Sequence, residues 1–349
     1  MENPVQVKTG SNLQEVLNQI IGAEKTSQLT KVLVVDQALS EESGDKVSRA
    51  VIAQALNMLL FADLIERVPA AKQYVDHCLA HNRTVMHDHG AVRTIALEGM
   101  GSLPAGETAI TRVLQPLGYA LKGLYPLERL KMTGRSYAQV EYPETIAQFF
   151  ISELHPEKFS AEFQHALEHV VSTSNDPLTH DAKALLNELE SSQSLSMDQA
   201  VELLPVLVSC FGRQHGDITL ADYTVLLNES AEAAWISTEG NVFNHVTDRV
   251  EDVDALSEEQ KALGQPMKAT VEKSQTGRVR QTAFHAAQVT RSFTAEDGSS
   301  VEKQVPGSFL EFITRLPLPE EVEGKKVLDL GFDSSNAQAI FKMTANTNS

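Results

Sequence analysis

Three residues far apart in the chain, His89, His245 and Glu311, have metal-ligating side chains in stretches that read as strands. Two imidazoles and one carboxylate on one face of a metal leave the opposite face open, the donor set of non-haem Fe(II) oxygenases. Zinc accepts the same donors with a water in the fourth place, so residue types leave iron and zinc both open. Glu311 lies within the run Phe309-Leu310-Glu311-Phe312-Ile313. A carboxylate in such a run is costly unless something pairs with it; a metal would, and so would Arg315 nearby. His87 and His89 are two apart, so on a regular strand they share a face while Asp88 points away, and either imidazole could be the ligand. Arg93 shares that face too, roughly 13 Å beyond His89 at about 3.3 Å per residue. Its planar guanidinium suits a substrate carboxylate gripped by two parallel hydrogen bonds.

The elements that must position these residues are legible from pattern and punctuation. The first ~80 residues read as helical. Asn12–Ile21 follows the cap candidate Ser11; Ser40 with Glu41, Glu42 and Asp45 reads as a second helix start before the apolar run Val47–Leu64; Ala71–His81 follows Pro69. The segment 84–97 is rich in β-branched residues and reads as a strand carrying His89. A helix over Glu107–Leu117 and strands at Tyr119–Tyr125 and Ser136–Tyr142 complete one βαβββ unit. Helices are expected at Ala147–Leu154, Ala161–Val171, His180–Leu189 and Met197–Cys210. His165 and His169 share a helix face at metal-ligand spacing, but with no third donor a solvated face is the simpler reading. A short helix at Asp217–Leu227 leads to a second unit: strand Val242–Val250, helix Ser257–Leu263, strands Met267–Glu272, Arg280–Gln288 and Phe293–Thr294, a turn at Ser299–Gly307, and strand Ser308–Leu316 carrying Glu311. The fold is therefore expected to be α+β: two βαβββ units, each a half-barrel, enclosing a metal between their first strands and the last strand of the second. The expected division is an N-terminal helical region over 1–83, a metal-binding domain over 84–335 with a helical insertion at about 146–211, and a frayed tail at 336–349.

Composition bounds the partners. The 349 residues carry 47 acidic against 29 basic side chains, a net charge of −18, which argues against a nucleic-acid surface. Two cysteines, Cys78 and Cys210, suggest no disulfide framework. The N-terminus has no apolar signal region, and apolar runs such as Val32–Val35 are far too short to span a bilayer. A soluble, cytoplasmic protein with no nucleic-acid or membrane partner is expected; oligomeric state is left open.

Four short segments, in order, carry a family resemblance. His89-Gly90-Ala91-Val92-Arg93 resembles the His-Gly-Ala-Ile-Arg motif of the 2-oxoadipate dioxygenase/decarboxylase family, a branch of the vicinal oxygen chelate superfamily. Asn244-His245-Val246-Thr247 with Asp252-Val253-Asp254 is similar to its Asn-His-Leu-Thr segment and trailing acids; Arg280-Gln281-Thr282-Ala283-Phe284 is similar to an Arg-Gln-Thr-Ser-Phe strand; Glu311 stands where the family has its metal carboxylate. The resemblance implies a vicinal-oxygen-chelate fold, Fe(II) held by His89, His245 and Glu311, a substrate carboxylate held by Arg93, and Gln281 in the pocket wall. It implies a 2-oxo acid and O₂ as partners, and decarboxylation with hydroxylation of the remainder, 2-oxoadipate giving 2-hydroxyglutarate and CO₂. His87 is an addition to the motif and is expected outside the metal's donor set. The family's further substrate contacts beyond the metal carboxylate have no readable counterpart here. Two rival functions use the same donors: a zinc hydrolase with Glu98 or Asp88 as general base, and a protein that binds an oxo acid without turnover.

Overall fold

The computed structural model describes residues 7–321 and 324–334. The N-terminal helices are α1 (Asn12–Ile21), α2 (Ala23–Val32), α3 (Gln37–Glu41), α4 (Arg49–Arg67) and α5 (Pro69–Ala80), with the short strand β1 (Lys46–Ser48) before α4. The first unit follows as β2 (His87–Ile95), α6 (Thr108–Leu114), β3 (Tyr119–Leu127), β4 (Met132–Gln139) and β5 (Gln148–Leu154). Next come α7 (Ala161–Val171), α8 (His180–Ser192), β6 (Ser194–Ser196), α9 (Met197–Ser209), α10 (Leu220–Glu229) and α11 (Ala231–Glu239). The second unit is β7 (His245–Arg249), α12 (Val253–Ala262), β8 (Glu272–Lys273), β9 (Val279–Ala283), β10 (Gln288–Thr294), β11 (Ser300–Pro306) and β12 (Phe309–Arg315).

One sheet of eight strands, in the order β3-β4-β5-β2-β7-β12-β9-β8, carries the site. Outward from the centre, each half runs first, fourth, third and second strand of its unit. In each half the first and fourth strands are parallel, and the two first strands meet antiparallel. Two βαβββ units are therefore present, as expected, and the pairing relates them by a local two-fold, with β10 and β11 forming a separate antiparallel hairpin in the second. The centre is buried on both faces: every residue of β2, β5 and β12 is buried. Helices α4 and α5 lie against the face away from the site, where Tyr74 of α5 meets Phe284 and Phe312 edge-on. The pair β1–β6 ties the N-terminal helices to the inserted ones.

Several expectations are corrected. Ala147–Leu154 is not a helix: Gln148–Leu154 is β5, the fourth strand of the first unit. A strand buried on both faces shows a continuous apolar run rather than alternation, and periodicity cannot separate that from a buried helix. The expected turn at Ser299–Gly307 is mostly β11. Ser40 lies inside α3, and the long helix is instead capped by Ser48, whose hydroxyl accepts from the Val51 amide. Helix α11 lay in a stretch given no element. The tail expected at 336–349 lies outside the described residues.

Candidate metal centre

The central strands bring His89, His245 and Glu311 together, each at most 5% exposed. Register explains how. On β2 and β7, His89 lies opposite Thr247 and Ala91 opposite His245, while Glu311 on β12 lies beside Thr247. Glu311 Oε2 is 3.2 Å from His89 Nε2 and 3.2 Å from His245 Nε2, and the two imidazole nitrogens are 3.4 Å apart. Three donors about 2.1 Å from one metal would lie about 3.0 Å apart at right angles and about 3.4 Å apart at the tetrahedral angle. The observed separations fall in that range, so the three atoms face one point and fit a first-row metal. The alternative partner for Glu311, Arg315, is engaged elsewhere.

Each donor is held from behind. Thr247 donates its hydroxyl to Glu311 Oε2 at 2.7 Å. His89 Nδ1 lies 2.8 Å from Asp88 Oδ1, so the ring, protonated at Nδ1, donates to that carboxylate and turns the Nε2 lone pair to a metal. Asn244 Nδ2 lies 2.9 Å from His245 Nδ1; the flipped amide, with Oδ1 at that nitrogen, would accept from it and do the same for the second imidazole. Asp88 in turn is gripped by Arg315, whose Nε donates at 3.0 and 2.9 Å and whose Nη2 donates at 2.9 Å.

Electrostatics follow from burial and these contacts. Burial alone would raise the Glu311 carboxyl, but His245 and His89 outweigh it and hold it below the usual carboxylate range. Burial likewise opposes the Asp88 charge, yet Arg315, with His89 and Arg249, keeps it ionised. The His89 ring is raised because hydrogen bonds from Asp88 and Glu311 exceed its burial penalty, whereas burial prevails at His245 and lowers it.

The strand carrying His89 is irregular where alternation was assumed. The register slips between His87 and His89, with His87 opposite Asp248 and His89 opposite Thr247. Asp88 is the extra residue of this bulge. His87 and His89 therefore do not share a face, and Asp88 does not point away. His87 instead packs against Phe61 of α4 and Phe243, with ring centroids 5.4 and 6.3 Å away, and burial lowers it to about 3. Gly90 follows because the Phe243 ring lies 2.3 Å from where a Cβ would stand.

The site opens into a small cavity of about 30 Å³ lined by Ala91, Phe150, Ser152, Asn244, Gln281, Phe332 and Asp333 besides the three donors. Gln281 stands in the wall. Arg93 is wholly buried and is not among the lining residues; its guanidinium lies over the Trp235 ring at 4.7 Å, and burial lowers it to about 10. Its charge still acts on His245. The bases suggested for a hydrolase are poorly placed: Glu98 is exposed on a turn, and Asp88 is held by Arg315. Phe332 and Asp333 come from a C-terminal segment that sequence reasoning did not place. No periodic pattern marks it.

Comparison with known proteins places the chain in a family. A sequence model of the 2-oxoadipate dioxygenase/decarboxylase family matches residues 53–344. The rice chloroplastic/amyloplastic 2-oxoadipate dioxygenase/decarboxylase is 24% identical over 326 residues, 87% of this chain and 80% of the rice protein. Among solved structures, a putative glyoxalase superfamily protein from Ralstonia eutropha JMP134 is 51% identical with a TM-score of 0.88, covering 93% of this chain and 98% of its own. The hydroxyglutarate synthase from Oryza sativa, solved with 2-oxoadipate, shares the fold at 20% identity and a TM-score of 0.64, covering 85% of this chain and 93% of its own. The chain belongs to the 2-oxoadipate dioxygenase/decarboxylase family.

Proposed function

We propose that the protein is an Fe(II)-dependent oxygenase that decarboxylates and hydroxylates a 2-oxo acid, with 2-oxoadipate giving 2-hydroxyglutarate and CO₂ as the first conversion to test. The observation that carries this reading is the buried trio His89, His245 and Glu311, whose donor atoms face one point and leave one side open to a cavity. An open face accommodates a substrate, which a closed four-ligand structural site does not. The chemistry is self-contained: 2-oxoadipate and O₂ together hold all the atoms of 2-hydroxyglutarate and CO₂, so no separate reductant is required.

When bound, Fe(II) supplies the redox reaction with O₂ that no side chain here can perform. The protein's own residues hold, orient and shield. His89, His245 and Glu311 would hold the metal, with Asp88 and Thr247 fixing their angles. A dication with one carboxylate ligand keeps a net positive charge, and Arg93 adds another nearby, which favours an anionic 2-oxo acid. On the family resemblance we assign the distal carboxylate to Arg93, which must turn from the Trp235 ring to reach it, and a polar contact to Gln281. Phe150 and Phe332 bring apolar rings to the open side and keep bulk water from it.

The test is anaerobic loading with Fe(II), followed by oxygen-electrode and product measurements over a series of 2-oxo mono- and dicarboxylates. Oxygen uptake matched one-to-one by CO₂ and a shortened 2-hydroxy acid is expected. No uptake with any of them, from protein shown to hold iron, would overturn the reading.

A further inference from the structure

The cavity at the open face is too small for the proposed substrate. About 30 Å³ holds roughly one or two water molecules. Phe332 and Asp333 wall the cavity, and their segment, 327–333, crosses the site from one half of the sheet to the other. Its ties to the first half are Gln148 of β5, donating to the Leu330 carbonyl at 3.2 Å, and the Tyr125 hydroxyl of β3, accepting from the Phe332 amide at 3.2 Å. Its ties to the second half are Arg278, paired with Asp329 at 2.9 Å, and the Gln275 amide, donating to Asp333 at 3.3 Å. The Phe332 ring stands perpendicular to His89 with centroids 4.9 Å apart, and it also meets Phe150 at 4.9 Å.

Arg315 joins this strap to the metal ligand. Its side chain is fully buried at the end of β12, and its donors are divided between two jobs. Nε and Nη2 grip Asp88, the carboxylate that orients His89, while Nη1 donates to the carbonyls of Asp329 and Gly331 at 2.9 and 2.7 Å. The face of the same guanidinium lies 4.9 Å from the Phe332 ring centroid. When the strap lifts to admit a substrate, Arg315 loses two carbonyl acceptors and an aromatic face. It is then restrained only by Asp88, and its grip on that carboxylate loosens, with Arg249 at 3.6 Å the other cation beside it.

We propose that Asp88 and Arg315 are positioning residues that couple strap closure to the orientation of His89, so that the metal site is fully assembled only while 327–333 covers it. This rests on the metal reading above. The coupling is reciprocal: whatever closure gives to metal affinity, metal must give to closure. A lysine at 315 keeps the charge opposite Asp88, but one ammonium cannot reproduce the planar fork that serves both jobs.

The experiment uses the full chain, Co(II) as the metal probe, and hydrogen exchange of the strap amides. In the unaltered protein, Co(II) should slow exchange at Asp329 and Phe332 about tenfold. Asp88→Asn should weaken Co(II) binding about 10–100-fold, the usual effect of losing a ligand's hydrogen-bond partner, and should abolish the Co(II)-dependent protection. Arg315→Lys should speed strap exchange without metal and weaken Co(II) binding to a similar degree, with no further loss in the Asp88→Asn background. Phe332→Ala leaves the Asp88–Arg315 pair in place and guards against misfolding of the buried variants; it should speed strap exchange and weaken Co(II) binding several-fold. Strap exchange that ignores Co(II) in the unaltered protein, or an Arg315→Lys strap that loosens while Co(II) affinity stays unchanged, overturns the coupling. Failure of the metal reading is separable: the unaltered protein would then bind Co(II) no better than His89→Ala.

Discussion

The two halves of the central sheet use the same scaffold differently. The local two-fold that exchanges β2 and β7 takes His89 to His245 and Ala91 to Thr247, because His89 faces Thr247 and Ala91 faces His245 across the centre. It also takes Phe150, the neighbour of Ala91 on β5, to Glu311, the neighbour of Thr247 on β12. The scaffold thus offers four equivalent inward positions. Three hold metal-ligating side chains, and the fourth holds an aromatic ring in the cavity wall. The asymmetry creates the open face. A fourth ligand at 150 would close the donor set as in a structural site, whereas a phenyl ring leaves space for substrate beside a dry wall.

The largest effect should come from Glu311, the inward position of the second half. Glu311→Gln keeps the shape but removes the charge that both imidazoles face. Metal affinity is expected to fall at least about 100-fold, beyond the usual effect of an outer partner, whereas Phe150→Leu, at the equivalent position, should change it less than about threefold. Competition with a metal-chelating dye checks both. Equal losses would erase the distinction between the halves. The reciprocal change, Phe150→Glu, places a carboxylate at the fourth position. It should bind metal at least as tightly as the parent while oxygen uptake with 2-oxo acids falls to background. Retained uptake would show that the open face lies elsewhere.

This symmetry explains what the sequence does and does not reveal. Glu311 stands out because a lone carboxylate in an apolar strand requires a partner, and His245 stands out on a short strand between polar turns. The equivalent strand of the first half, Gln148–Leu154, has no ligand at the matching position, and its one carboxylate, Glu153, pairs with Arg135. With both faces buried its apolar run Phe149-Phe150-Ile151 shows no alternation, and it reads as a helix. The two-fold is invisible without that strand, and with it the role of Phe150. The bulge at Asp88 is equally silent, since alternation assigns His87 and His89 to one face unless the register slip is known. Arg315 and the strap it holds belong to contacts across more than 200 positions or within an irregular segment, where periodicity carries no information.

A smaller effect tests Thr247, which the two-fold pairs with Ala91. Its hydroxyl donates to Glu311 in a bond to a charged acceptor, worth about 1.5–3 kcal/mol. Thr247→Val should weaken metal binding roughly tenfold while leaving the fold intact. The equivalent methyl, Ala91, has no such bond to lose, and Ala91→Gly should leave metal affinity within about twofold. If the valine variant binds metal as the parent does, Glu311 is held by the imidazoles alone.

The smallest effect on the metal should come from His87, the imidazole on the far side of the bulge. It sits between Phe61, tilted against it, and Phe243, edge-on, on the face covered by α4, and its Nε2 is buried without a hydrogen-bond partner. His87→Phe removes a desolvated polar atom from an aromatic cluster, so metal affinity should be unchanged and stability near pH 7 kept or increased. The acid limb distinguishes the two imidazoles further. Burial lowers His87 to about 3, below the ordinary histidine value of about 6.5. Between those limits the unfolded chain binds a proton that the native chain refuses, so protonation of His87 costs the fold nothing above about pH 6.5 and lowers its stability progressively as pH falls toward 3. Asp248, pushed up to about 6 by burial, works in the opposite direction over part of the range, so the difference between parent and variant isolates His87. Denaturant unfolding of the metal-free proteins from pH 7 to pH 4 should show a shallower loss of stability in His87→Phe than in the parent. Parallel curves, or metal loss in the variant, would place His87 on the same side of the strand as His89 and undo the bulge.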